Sequence, residues 1–86
     1  MRLKQDFIVH KTGEESILVP TGNADFSGVV KGNQTLGFIL DCLKEDTTAE
    51  SILEKMTVSF EGDRNRMEAD VKKVLGELQK IGAIEE

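Results

Sequence analysis

The 86-residue chain predicts an α+β fold, a three-stranded antiparallel sheet followed by three helices. Two observations carry this reading. The first third holds β-branched and apolar runs separated by glycine turns, the pattern of a hairpin and a further strand. From Asn33 onward apolar residues recur at three- and four-residue spacing, the period of a helix face. No repeat, linker or low-complexity tract divides the chain, and a core of this size cannot be split, so residues 1–86 read as one domain.

The strands come first. "FIVHK" and "SILVPT" flank "TGEE", where Gly13 supplies the turn of a hairpin. A polar loop, "GNADFSG", leads to the short run Val29, Val30 and Lys31 between Gly28 and Gly32. Glycines weaken a strand and bend it, so this third strand is short. Asn33 then stands where a helix N-cap belongs, and Leu36, Ile39, Leu40 and Leu43 place the first helix over about residues 34 to 45. Thr47 and Glu50 have capping-box spacing ahead of Ala49, Ile52, Leu53 and Met56, so a second helix ends near Phe60, before Gly62. A third helix over about 64 to 81 carries Met67, Val71, Val74, Leu75, Leu78 and Ile81 on one face. Gly82 is its expected C′ residue, and Ile84 is expected to fold back onto its last turn.

Composition narrows the function classes. Charged residues at 31% and apolar ones at 38% describe a soluble globular domain. No apolar run reaches the roughly 20 residues of a spanning helix, and the start carries no apolar segment before a cleavage site; a cytoplasmic protein with no membrane partner is the expectation. Eleven basic against 16 acidic residues, a net charge of −5, repels a phosphate backbone. One cysteine and one histidine make neither a disulfide nor a usual soft metal site, so no metal or cofactor is expected.

Single residues add little chemistry. His10 has no carboxylate, cysteine or second histidine at a recognisable spacing, and reads as a structural histidine. Cys42 follows Phe38 by one turn with nothing basic placed to lower its pKa, and reads as a small core thiol. The glycines of "GVVKGNQTLG" fit neither the dinucleotide fingerprint nor the P-loop. With no nucleophile–base pair or metal cluster, catalysis is not expected.

The third helix is more informative. Arg66, Asp70, Lys73, Glu77 and Lys80 stand three or four residues apart and alternate in sign. Two readings are open: a solvated face whose charges pair with one another, or a face that reads a charged, partly apolar peptide. Arg64, Arg66, Lys72, Lys73 and Lys80 also sketch the outline of a winged-helix DNA-binding regulator, the alternative from another class, against which Glu68, Asp70 and Glu77 interrupt the basic charge.

From Asn33 the spacing becomes specific. Asn33, Thr35, Ile39 and Leu43, then "TTAESILEKM", Phe60, Asp70-Val71, Leu75, Leu78, Gly82 and Ile84 together resemble the pyrroloquinoline quinone biosynthesis protein D (PqqD) family, also called the RiPP recognition element, over about residues 33 to 84. The resemblance implies a winged-helix-like, non-catalytic peptide-recognition domain. It further implies a partner, the leader segment of a ribosomally made precursor peptide, presented to a modifying enzyme such as a radical S-adenosylmethionine maturase. The leader would add as a strand beside Gly28, Val29, Val30, Lys31 and Gly32, against a helix face formed by Arg66, Asp70, Lys73, Val74 and Glu77.

Elementary physics points the same way. A hairpin plus one strand leaves an edge whose N–H and C=O groups can template another strand, and Lys31 is its one evident guard. An edge beside an amphipathic helix is a peptide site by strand addition; it is equally able to pair with a second copy, giving a homodimer. Either Val29 or Val30 faces the helices, and Val30→Pro, or Val29→Pro if the register is shifted by one, is expected to remove the outward backbone donor and weaken binding.

Overall fold

The computed structural model describes residues 1–22 and 28–85. The elements are β1 (Arg2–Leu3), β2 (Phe7–Thr12), β3 (Glu15–Pro20), β4 (Val30–Gly32), α1 (Gln34–Cys42), α2 (Ala49–Ser59), α3 (Arg64–Lys80) and β5 (Ile84–Glu85). Strands β2, β3 and β4 form an antiparallel sheet in that order, followed by the three helices, the α+β arrangement that the sequence predicts. Of the polar loop expected over 22–28, residues 23–27 lie outside the described residues.

The hairpin turns on Gly13, whose φ of +59° at the first central position suits a tight turn matched to strand twist. Paired residues share a face of the sheet. Val9, Leu18 and Val30 lie in one row on the inner face, and Phe7 is buried beside them. Leu36, Ile39, Leu40 and Leu43 of the α1 segment pack on this face, and one core continues from them through Ile52, Leu53 and Met56 of α2 and Met67, Val71, Leu75 and Leu78 of α3. Phe38 and Phe60 meet edge to face at 5.2 Å, joining α1 to the end of α2. His10 is exposed, and Cys42 is half-buried, with burial pushing its thiol pKa up despite the nearby Lys55.

Helix ends follow the capping chemistry of the sequence in two places. Asn33 accepts from the Thr35 N–H at 3.0 Å and starts α1 directly after β4. At the end of α3, Gly82 has φ +73°; its N–H donates to the Gln79 carbonyl and that of Ala83 to Leu78, at 3.1 and 2.9 Å, a Schellman closure.

Elsewhere tertiary contacts move the boundaries. Helix α1 ends at Cys42 and not near residue 45, because the Leu43 carbonyl is taken by the Leu3 N–H at 2.9 Å. The cap of α2 is Thr48, which accepts from the Ser51 N–H, and not Thr47, whose N–H is drawn to the Met1 carbonyl at 2.8 Å. Ile84 does not simply fold back on α3: β5 pairs with β1 as a separate ribbon, Leu3 opposite Ile84 and Arg2 opposite Glu85. The third strand of the main sheet begins at Val30, one residue later than the valine run suggests.

Helix α1 lies unusually close to the sheet. A Cβ at Gly37 would stand 2.3 Å from Oγ of the buried Ser16, and one at Gly32 would meet the Leu36 side chain at 2.7 Å. Lys11 of β2 adds an ion pair to Asp41 of α1, which Lys44 also approaches at 3.4 Å. Burial opposes ionisation of Asp41, but the two lysines outweigh it and hold its pKa below the ordinary value.

Two outcomes test this packing. Gly37→Ala should lower stability by about 1–3 kcal/mol through overpacking, offset in part by alanine's helix preference, and adding Ser16→Ala should restore part of the loss in a denaturant-melt cycle. The Asp41 pairing contributes above the unfolded carboxylate pKa of about 3.9 and is lost as pH falls through the lower folded value. Asp41→Asn should therefore flatten the acid limb of stability against pH, by only tenths of a kcal/mol at roughly neutral pH because the pair is exposed.

Candidate functional site

The direction of each backbone group on β4 follows from the hairpin. Antiparallel pairs alternate between those that exchange both hydrogen bonds and those whose groups point away. Thr21 donates to the Asp6 carbonyl at 2.8 Å, continuing the β2–β3 register, so Ile8–Val19, His10–Ile17 and Thr12–Glu15 have the same bonded parity. Ser16 and Leu18 then direct their groups to β4, where their partners are Gly32 and Val30. Lys31 lies between those two, and its N–H and C=O face away from the sheet.

Side chains alternate in the opposite sense to what a free edge alone would reveal. Val30 shares the inner face with buried Leu18. Val29, one residue earlier, is 50% exposed. The inward valine is thus Val30, whereas the outward backbone parity belongs to Lys31 and Val29.

A groove of about 370 Å³ runs along this edge. Val30, Lys31 and Gly32 form one wall and Arg66, Asp70, Lys73, Val74 and Glu77 of α3 the other. The fold therefore brings together all the residues that the sequence marks as a peptide face except Gly28 and Val29, which do not line it. Asn33, Thr35 and Leu36 also line it and were missed by sequence reasoning. The signal for them was the missing linker: a helix capped at Asn33 immediately after Gly32 must set its first turn against the strand.

The groove has an apolar floor and a charged rim. Leu36 is buried, Val30 and Val74 are half-buried, and Arg66, Lys73, Glu77 and Lys31 are exposed. Arg66 with Asp70, and Lys73 with Glu77, stand at ion-pair spacing, yet neither pair closes among the described residues. The ion pair that α3 does form is Lys72–Glu68 at 3.2 Å, beside a different groove of about 270 Å³ between α2 and α3. The self-compensating face that sequence spacing allows is therefore realised only outside the edge groove. The basic residues of α3 are divided likewise: Arg64 and Lys72 border the α2–α3 groove, Arg66 and Lys73 the edge groove.

Among the described residues no group of three histidine, cysteine, aspartate or glutamate side chains is placed to hold a metal ion, and no helix is long and apolar enough to cross a membrane.

Comparisons with known proteins bear on this geometry. Curated protein sequences yield no match. Two solved structures share the fold: TbiB1 in complex with the TbiA(beta) leader peptide, at TM-score 0.79 and 18% identity over 99% of this chain and 95% of that one, and lasso peptide synthetase B1 complexed with the leader peptide, at TM-score 0.73 and 20% identity over 95% and 93%. The family model for coenzyme PQQ synthesis protein D (PqqD) matches residues 15–84, which takes in β3, β4, all three helices and both walls of the groove. The chain belongs to the PqqD family.

Proposed function

We propose that this protein is a non-catalytic adaptor that captures the leader segment of a ribosomally made precursor peptide and presents it to a modifying enzyme. The leader adds as a strand to β4 and lies against α3. The observation that carries this reading is the coincidence of a β4 edge that no strand among the described residues pairs with, its Lys31 N–H and C=O directed outward, and an apolar-floored groove along the same edge. Both solved structures that share the fold were determined with a leader peptide bound.

The residues then divide the work. Lys31 supplies main-chain hydrogen bonds, which give affinity without sequence choice. Val30, Leu36 and Val74 receive an apolar side chain, and Arg66, Asp70, Lys73 and Glu77 meet the polar ones. Gly28 and Val29 extend the edge before β4 begins. The enzyme served is a peptide-modifying one, with the radical S-adenosylmethionine maturases the class that family membership favours. A DNA-binding reading is less well supported, since the basic residues of α3 border two separate grooves and acidic ones stand among them in each.

Titration of the isotopically labelled protein with a synthetic leader of its cognate precursor peptide should shift amides of residues 28–33 and 66–78. Shifts confined to the α2–α3 groove would place the site wrongly. Lys31→Pro removes the outward donor and should weaken binding about tenfold or more while the far-ultraviolet spectrum is kept. Val30→Pro removes a donor directed at β3, and should instead cost sheet stability.

A further inference from the structure

Resting on the peptide-adaptor reading, we propose that the charged stripe of α3 sets the direction in which an extended peptide enters the groove. It selects a segment whose apolar anchor is flanked, two residues to either side, by one acidic and one basic side chain. The acidic one lies toward Arg66 and the basic one toward Glu77.

The edge itself does not choose a direction. Strands pair in parallel and antiparallel fashion through the same outward N–H and C=O groups, and β4 offers only a three-residue length of them. Direction must come from side chains. The apolar floor at Val30, Leu36 and Val74 accepts an anchor but is itself without polarity. Charge is what differs between the two ends of the groove.

Arg66 and Glu77 sit at opposite ends of α3, and each has the sign that the helix disfavours there. The helix dipole is positive at the N-terminus, yet the first turn holds Arg64 and Arg66 and no acid. It is negative at the C-terminus, where Glu77 begins a last turn that ends on Lys80, and Glu77 is the one of the two that lines the groove. These two side chains also form no ion pair among the described residues, although Asp70 and Lys73 stand at the spacing that would allow it. Their charges therefore reinforce the dipole and give the two ends of the groove's helical wall opposite sign, with Asp70 and Lys73 between them.

The dimensions agree. From Arg66 to Glu77 the helix rises about 16 Å at ~1.5 Å per residue. Residues two places either side of an anchor in an extended chain lie about 13 Å apart and on the anchor's own face. The long arginine and glutamate side chains span the difference. A peptide threaded backwards would set an acid beside Glu77 and a base beside Arg66, and like charges brought together discriminate against it.

The test is selection of phage-displayed random twelve-residue peptides on the full chain and on the double variant Arg66→Glu, Glu77→Lys. The unaltered chain should enrich an apolar residue with an acid and a base at its second neighbours, in one order. The variant should enrich the opposite order, and each selected peptide should bind the other protein about tenfold more weakly. Arg66→Glu sets an acid four residues from Asp70 and Glu77→Lys a base four residues from Lys73, which offsets the better match to the dipole, so the variant's melting temperature should change little. Enriched peptides without flanking charges, or the same order from both proteins, would overturn the charge-direction proposal while leaving a peptide site in place. Enrichment from neither protein would sink the adaptor reading and this proposal with it.

Discussion

The closeness of α1 to the sheet is the constraint on which the site depends. Gly37 lies over Ser16 and Leu36 over Gly32, with no room for a Cβ at either glycine. Because α1 starts one residue after β4 ends, this contact holds the third strand as well as the helix. Leu36 occupies the space that a side chain at residue 32 would need, and in doing so becomes part of the groove's floor. A looser contact would let the edge of β4 move relative to α3, and the two walls would no longer face each other at a fixed separation. Lys11 of the same sheet reaches Asp41, and Phe38 reaches Phe60, so α1 is tied to the sheet and to the end of α2.

The groove combines features that a domain built only for stability would avoid. A strand edge with outward backbone groups is a hazard for self-association, and charges opposed to a helix dipole cost a little helix stability. Both occur at one place, on facing walls. The contrast lies within α3 itself, where Lys72 and Glu68 pair on one flank while Arg66, Asp70, Lys73 and Glu77 stay open on the other. Such local departures from the most stable arrangement are what single this groove out as the candidate site.

Much of the fold was legible in the sequence because its signals are local. Asn33 caps α1 through its own side chain, Gly82 supplies the positive φ that closes α3, and Met67, Val71, Leu75 and Leu78 of α3 are buried as their spacing requires. Signals that depend on a distant partner were not legible. Thr47 and Thr48 are equivalent as caps in sequence, and the Met1 carbonyl decides between them by engaging the Thr47 N–H. The β1–β5 ribbon joins the first residues to the last, and two-residue strands have no period to detect.

The sequence by itself determined the order of strands and helices, the inward faces of the helices, and a short, glycine-bracketed third strand beside a helix with alternating charge. These follow from propensity, capping and periodicity, which act over a few residues. Only the tertiary structure decided which valine faces inward, which backbone donor faces out, and which charges of α3 are free. Strand parity passes from Asp6 and Thr21 through the whole β2–β3 ladder before it reaches Lys31, and a one-residue slip would invert every assignment. Whether two charges at helical spacing pair depends on the rotamers that surrounding walls permit, and those walls come from separate parts of the chain.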